Sequence, residues 1–229
     1  MRHIAIILAG GMGSRVGGEI PKQLLPLMDG RSILEHSVDA FEQALCIDEI
    51  VIVMHPDWVA QAQRLCLQNS WQKVQQIIPG GKERWESSWK AIQAVSGEGT
   101  CLWFHDAARP FVSQRILADV AECLEHHNAV TVAVPVTDTI YRVERQESRA
   151  ESQEPRLESI PARTDFMRAQ TPQAFRFETI QEAYRRAIES GEVAATDDAG
   201  IVHKYLPDEV IYIVEGEETN KKITYKEDL

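Results

Sequence analysis

Long apolar runs are missing from this 229-residue chain. None approaches the roughly 20 residues of a membrane span. The run Ile4 to Leu8 is too short for the core of a secretion leader and leads straight into glycine, so the expectation is a cytoplasmic chain that does not enter a membrane. Cysteine is scarce: Cys46, Cys66, Cys101 and Cys123 lie far apart, with no C-x-x-C and no Cys/His pair. That spacing argues against a disulfide framework and a zinc site, and leaves reduced core thiols. Positive charge is in deficit, with 24 Lys and Arg against 35 Asp and Glu and a net charge of −11, which argues against nucleic acid as a partner. It does not exclude a small anionic ligand, because local cations and backbone N–H groups set the potential of a pocket. The Walker pattern is absent, and the dinucleotide fingerprint fails because Gly11-x-Gly13 is followed by Val16 where a third glycine belongs. No Ser-His-Asp set, Cys-His pair or paired catalytic carboxylates can be assembled, and His126-His127 has no carboxylate at metal-ligand spacing.

What is present is a rhythm. Apolar runs at Ile4–Leu8, Ile50–Met54, Val74–Ile78, Cys101–Phe104 and Ala129–Val136 read as buried strands. Helical stripes alternate with them: Ile33, Leu34, Val38 and Phe41; then Trp85, Trp89 and Ile92; then Ile116, Leu117, Val120 and Leu124. The tryptophans are read as core-facing. Strand alternating with helix predicts an α/β fold, a mostly parallel twisted sheet with helices on both faces, whose ligands sit outside the carboxyl ends of the strands.

Strand end after strand end carries glycine or polar residues. The first leads into Ala9-Gly10-Gly11-Met12-Gly13-Ser14-Arg15, with Pro21-Lys22-Gln23 close behind; the third into Pro79-Gly80-Gly81-Lys82-Glu83-Arg84, with Ser87 at a helix start. The fourth leads into His105-Asp106-Ala107-Ala108-Arg109-Pro110, and the fifth into Pro135-Val136-Thr137-Asp138-Thr139. Glycines let a backbone approach phosphate oxygens closely, and cations beside such a cradle suit a polyphosphate. Arg15, Lys22 and Lys222 are placed to converge on one triphosphate. Asp106 is the natural Mg²⁺ ligand, since that ion takes one or two carboxylates plus phosphate oxygens. Arg109, Thr139, Arg163 and Thr171 are candidates to grip a second, phosphate-bearing substrate. With no general base, the chemistry fits a substrate phosphate acting as its own nucleophile, which needs alignment and charge neutralisation.

Beyond Thr139 the rhythm breaks. Ile140–Val143 and Leu157–Ile160 are set to pair as a hairpin arm, with a polar stretch from Glu144 to Arg156 between them. An isolated hairpin is marginal, so a partner subunit is the expected cover. Gln170 to Phe175 leads into a helix from about Glu178 to Ser190, Thr196-Asp197-Asp198 reads as a helix N-cap, and Val210–Val214 as a late strand.

Taken in order, Gly-Gly-x-Gly-x-Arg, Pro-Lys-Gln, Gly-Gly-x-x-Arg-x-x-Ser, His-Asp-Ala-Ala-Arg-Pro, Pro-Val-x-Asp-Thr, Gln-Thr-Pro-Gln, Thr-Asp-Asp and Asn-x-Lys-x-Thr resemble the 2-C-methyl-D-erythritol 4-phosphate cytidylyltransferase family over essentially the whole chain. The resemblance implies one Rossmann-like nucleotidyltransferase domain over residues 1–229, with a protruding β-arm at 139–160. It implies CTP, a polyol phosphate and Mg²⁺ as reactants and cofactor, CDP-methylerythritol and pyrophosphate as products, and a homodimer. By the same resemblance Arg15 and Lys22 neutralise the triphosphate, and Lys222 meets the α-phosphate. Ala9, Gly10, Gly11, Gly13, Gly81, Arg84, Ser87 and Ala107 line the nucleotide, and Asp106 sits between the substrates. Arg109, Thr139, Arg163 and Thr171 hold the polyol phosphate, with Thr139 and Arg163 serving the partner's site. Lys82 stands where the family often has an acid. Ala9-Gly10-Gly11 and Ile160-Pro161-Ala162-Arg163 are similar instead to the sister enzymes that use ribitol 5-phosphate, which stays open as the acceptor. A nucleotide-binding subunit without catalysis is the third reading.

Arg15→Ala or Lys22→Ala is expected to lower turnover on the order of 100- to 1,000-fold, because each removes a preorganised charge from the transition state. Pyrophosphate release from CTP, with circular dichroism as the folding control, measures it; near-full release would remove the assigned roles.

Overall fold

Alternate residues of the leading apolar run take opposite sides of a sheet: Ile4 and Ile6 join one layer of the core, Ala5 and Ile7 the other. The structure is a computed structural model that describes residues 1–11, 20–97, 99–144, 155–193 and 195–229. Its strands are β1 (Arg2–Ala9), β2 (Glu49–Met54), β3 (Val74–Pro79), β4 (Thr100–Asp106), β5 (Ala129–Pro135), β6 (Arg142–Glu144), β7 (Arg156–Ser159), β8 (Met167–Arg176) and β9 (Tyr212–Glu215). Its helices are α1 (Ile33–Glu42), α2 (Val59–Asn69), α3 (Arg84–Ala94), α4 (Gln114–His126), α5 (Phe177–Glu189) and α6 (Asp198–Tyr205). The main sheet runs β3-β2-β1-β4-β8-β5-β9. All neighbours are parallel except β8, which is antiparallel to both β4 and β5.

Two layers of helix bury that sheet. Leu34, Val38 and Phe41 of α1, with α2 and with Ile116, Leu117, Val120 and Leu124 of α4, pack on Ile7, Ile52 and Trp103. Ile92 of α3, Ile180 and Tyr184 of α5 and Ile201 of α6 pack on Ile6, Val53 and Phe104. Each fully buried aliphatic side chain contributes ~1.5–3 kcal/mol relative to an exposed one, so the stripes read from the sequence hold the layers in place. Trp85 and Trp89 are half-buried against the second layer, as expected of core-facing residues. Caps set where helices begin: Ser32 Oγ accepts from Glu35 N while Glu35 Oε2 accepts from Ser32 N, a reciprocal capping box. Asp197 caps α6 by accepting from Gly200 N at 2.8 Å, as the Thr-Asp-Asp motif predicts.

β8 differs from expectation. Gln170 to Phe175 does lead into a helix, α5, but it is itself part of a central strand, buried throughout. Glutamine, threonine and proline argue against a central strand by composition. Here the amides are satisfied: Gln170 Nε2 donates to Glu217 O at 2.8 Å, and Gln173 Nε2 to Asp197 Oδ2 at 2.8 Å. Pro172 stands where the pairing with β5 shifts register between Thr131 and Val132, an irregularity of the kind that tolerates proline.

The arm forms as β6 paired antiparallel with β7 in a separate two-stranded sheet, every residue of both strands exposed. Its tip, 145–154, lies outside the described residues. No helix among the described residues is long and apolar enough to cross a membrane.

Candidate functional site

The carboxyl ends of β1, β3 and β4 open onto one cleft of roughly 340 Å³. Gly10 and Gly11 follow β1, Gly81 precedes α3, and Asp106 and Ala107 close β4; all line it. The wall between β1 and α3 is tight. A Cβ on Gly80 would lie 2.9 Å from Ser87 Oγ, and one on Gly81 2.2 Å from Glu86 Cβ, so only glycine fits this turn. Ser87 Oγ accepts from Gly81 N at 3.0 Å, fixing the turn to the helix. Gln23 is buried; its Nε2 donates to the carbonyls of Ala9 and Gly11, tying the segment after the glycine loop to the end of β1.

Charge concentrates here. Among the described residues the cationic side chains Lys22, Lys82, Arg84 and Lys222 line the cleft against Glu83 and Asp106, in a chain whose net charge is −11. Lys22 Nζ donates to Ile223 O at 2.6 Å. Asp106 is 14% exposed and bridges two cations: Oδ1 meets Arg84 Nε at 3.2 Å and Oδ2 meets Lys222 Nζ at 2.6 Å. Burial would push the Asp106 carboxyl up, but Arg84 and Lys222 outweigh it and hold the group well below the usual carboxylate range. Burial likewise opposes the Arg84 charge, and Asp198 and Asp106 more than restore it, raising its pKa.

Behind Asp106 lies an inner polar chain. His105 is fully buried, and burial lowers its pKa to about 4, so the imidazole is neutral at pH 7. Its Nε2 is 3.0 Å from Arg109 O, an atom that can only accept, so Nε2 carries the proton. Nδ1, 3.0 Å from Thr171 Oγ1, then accepts from that hydroxyl, whose oxygen in turn accepts from Asp106 N at 3.1 Å. With both ring nitrogens engaged, His105 holds the β4 end in shape and offers no base to the cleft. The C-terminal segment is fastened to the same loop. Ile223 N donates to Ala108 O at 2.8 Å, and buried Asn220 Nδ2 donates to Thr171 O at 2.9 Å and Gln170 Oε1 at 3.0 Å.

The expected residues therefore divide. Lys22, Gly10, Gly11, Gly81, Arg84, Ser87, Asp106, Ala107 and Lys222 meet at the cleft, with buried Ala9 directly beneath. Gly13 and Arg15 lie outside the described residues. Arg109 does not line the cleft: Nη1 donates to Asn220 O at 2.8 Å and Nη2 to Ala169 O at 3.1 Å. Thr171 is buried in the inner chain rather than open to a ligand. Thr139 and Arg163 are exposed at the base of the arm, away from the cleft-lining set, with Arg163 Nη1 donating to Thr137 O at 2.6 Å. Gln23, Asn220, His105 and Asp198 were not singled out as site residues, although each stands inside or beside a motif read from the sequence. Their packing roles depend on partners far away in the chain, which short motifs do not display.

Among the described residues no group of three His, Cys, Asp or Glu could hold a metal ion. One ionised carboxylate at the cleft does fit an ion that takes its other ligands from phosphate oxygens and water, the usual habit of Mg²⁺.

Comparison with known proteins supplies a family. Residues 3–229 match the family model described as 2-C-methyl-D-erythritol 4-phosphate cytidylyltransferase. The chain is 44% identical to the Thermobifida fusca protein of that name, covering 100% of this chain and 90% of the relative. It is 40% identical to a bifunctional ribulose 5-phosphate reductase/CDP-ribitol pyrophosphorylase of Haemophilus influenzae, covering 100% of this chain and 47% of that one, about half its length. Among solved structures it is similar to 4-diphosphocytidyl-2C-methyl-D-erythritol synthase from Anaerococcus prevotii, with a TM-score of 0.83, 26% identity, and coverage of 99% and 92%.

The inner chain carries its own test. Thr171→Val leaves Asp106 N and His105 Nδ1 buried without partners, an expected cost of about 1–3 kcal/mol. Urea denaturation measures it, and Thr171→Ser should restore most of the loss.

Proposed function

Because the chain belongs to the 2-C-methyl-D-erythritol 4-phosphate cytidylyltransferase family, we propose that its cleft binds CTP and aligns the α-phosphorus for attack by an acceptor phosphate. The enzyme is a cytidylyltransferase: it transfers CMP from CTP to 2-C-methyl-D-erythritol 4-phosphate in isoprenoid precursor synthesis. A phosphate oxygen of the acceptor forms a bond to the α-phosphorus, the bond from that phosphorus to the bridging oxygen breaks, and pyrophosphate leaves. The observation that carries the site assignment is the cation set around one ionised carboxylate, with Arg84 and Lys222 on Asp106 and Lys22 on the same cleft wall.

The division of labour follows from position. Gly10, Gly11 and Gly81 allow close approach of the nucleotide, and Ser87 backs them. Lys22 and Lys222 neutralise charge on the phosphates, and Arg15, outside the described residues, is assigned to the same task. The acceptor phosphate is itself anionic, so no base is required, in keeping with a neutral His105 whose two nitrogens are engaged. Asp106 would hold Mg²⁺ together with the triphosphate oxygens, and the bound ion would supply further neutralisation of phosphate charge. A cytoplasmic location is part of this reading, because CTP is supplied there.

The arm belongs to a homodimer in this proposal. Tyr141 and Ile160 are 60% and 58% exposed, and Val143, Leu157, Phe166 and Met167 add to the apolar surface around it. A two-stranded hairpin of this kind needs a partner surface to be stable. Thr139 and Arg163 at its base would then reach the polyol phosphate in the other subunit. Ribitol 5-phosphate is the second acceptor reading, favoured by the 40% identity to the Haemophilus influenzae protein.

With CTP and Mg²⁺, kcat/KM for methylerythritol phosphate should exceed that for ribitol 5-phosphate by about tenfold or more, as unmatched hydroxyl contacts discriminate strongly. The reverse order would move the enzyme to the alditol branch. Replacing Ile140 to Ile160 by a short linker should give a monomer by light scattering with weakened acceptor use. An unchanged active dimer would refute the shared site.

A further inference from the structure

Asp198 is 0% exposed, yet it carries a carboxylate that the functional reading leaves unused. It is the first residue of α6, where the helix N-terminus favours negative charge. Its Oδ1 accepts from Tyr184 OH at 2.6 Å, and its Oδ2 lies 2.7 Å from Arg84 Nη1. Tyr184 is itself fully buried and stacks on Trp89, ring centroids 6.0 Å apart and planes within 9°. Arg84 in turn meets Asp106, and Asp106 meets Lys222. The charges alternate from the buried core to the cleft: Asp198, Arg84, Asp106, Lys222.

We propose that Asp198 is a positioning residue for CTP binding: it anchors Arg84 from behind, so that the guanidinium stands as a fixed part of the cleft wall. An arginine at the first turn of a helix has many rotamers, and a single carboxylate at Asp106 would draw two of its three nitrogens forward. Asp198 holds Nη1 on the core side and leaves Nε for Asp106. Nη2 stays buried with no hydrogen-bond partner among the described residues. When an anionic nucleotide enters, Lys222, 39% exposed, can turn from Asp106 to phosphate, whereas Arg84 is retained by a carboxylate that cannot move. Tyr184, gripped by its stack on Trp89, keeps that carboxylate oriented.

This inference rests on the proposed CTP site, and the test separates the two. CTP binding is measured by calorimetry without acceptor, beside KM for the acceptor and thermal unfolding. Asp198→Asn keeps the shape and removes the charge; it should weaken CTP binding about tenfold, the loss of one charge-assisted contact, with acceptor KM changed less than about twofold. In an Arg84→Gln background the same substitution should cost nothing further, because the two residues act as one unit. Additive losses, or wild-type CTP affinity in Asp198→Asn, would overturn the inference. Should Asp198→Asn fail to fold, Tyr184→Phe keeps the ion pair but loosens the carboxylate, and CTP affinity unchanged there would overturn it equally. Wild-type protein that bound no CTP would overturn the functional reading itself.

Discussion

The ion pairs on Asp106 are the constraint around which the cleft is arranged. A carboxylate at the end of β4 is drawn between Arg84, from the start of α3, and Lys222, from the C-terminal segment. Each of the three comes from a different part of the chain, and each needs the others. Asp106 stays ionised only because two cations face it against the cost of burial, and Arg84 tolerates its setting only because two carboxylates face it. A protein with an overall charge of −11 thereby gathers positive side chains at one mouth, where they can neutralise phosphate.

The surrounding polar chain explains how that arrangement is kept in place. His105, Thr171 and Asn220 look like candidates for chemistry by residue type, but each is buried and its side chain is hydrogen-bonded within the fold. They fasten the β4 loop to β8 and to residues 220–223, and Lys22 Nζ reaches the same segment through Ile223 O. Arg109 joins this framework through two backbone carbonyls. The cleft is thus braced by a framework of fixed hydrogen bonds, most of them to neutral groups, behind the charged residues that line it.

Much of this was legible in the sequence where the signal is local. Phe41 and its neighbours on α1, the α4 stripe, the strand ends of β1, β3 and β4 and the Asp197 cap all follow from spacing within a few residues. β8 was not legible, because Gln170, Thr171, Pro172 and Gln173 look like a polar loop until their partners at Glu217, Asn220 and Asp197 are present. Asp198 was visible only as part of a cap motif. Its carboxylate gained a second meaning when α3 and α6 both packed on α5 and brought it within 2.7 Å of Arg84.

The order of the apolar runs determined a mostly parallel α/β sheet with helices on both faces, and the glycine- and charge-bearing strand ends pointed to the edge where the cleft lies. Those features are local: hydrophobic periodicity and turn chemistry act over a few residues, and the chain states them outright. Which polar residues line the cleft and which brace it from behind was decided only by the tertiary structure. The pairs Asp198–Arg84, Arg84–Asp106 and Asp106–Lys222 join residues far apart in sequence. Electrostatic and hydrogen-bonded contacts of that kind depend on distance and burial, and neither exists until the layers have packed.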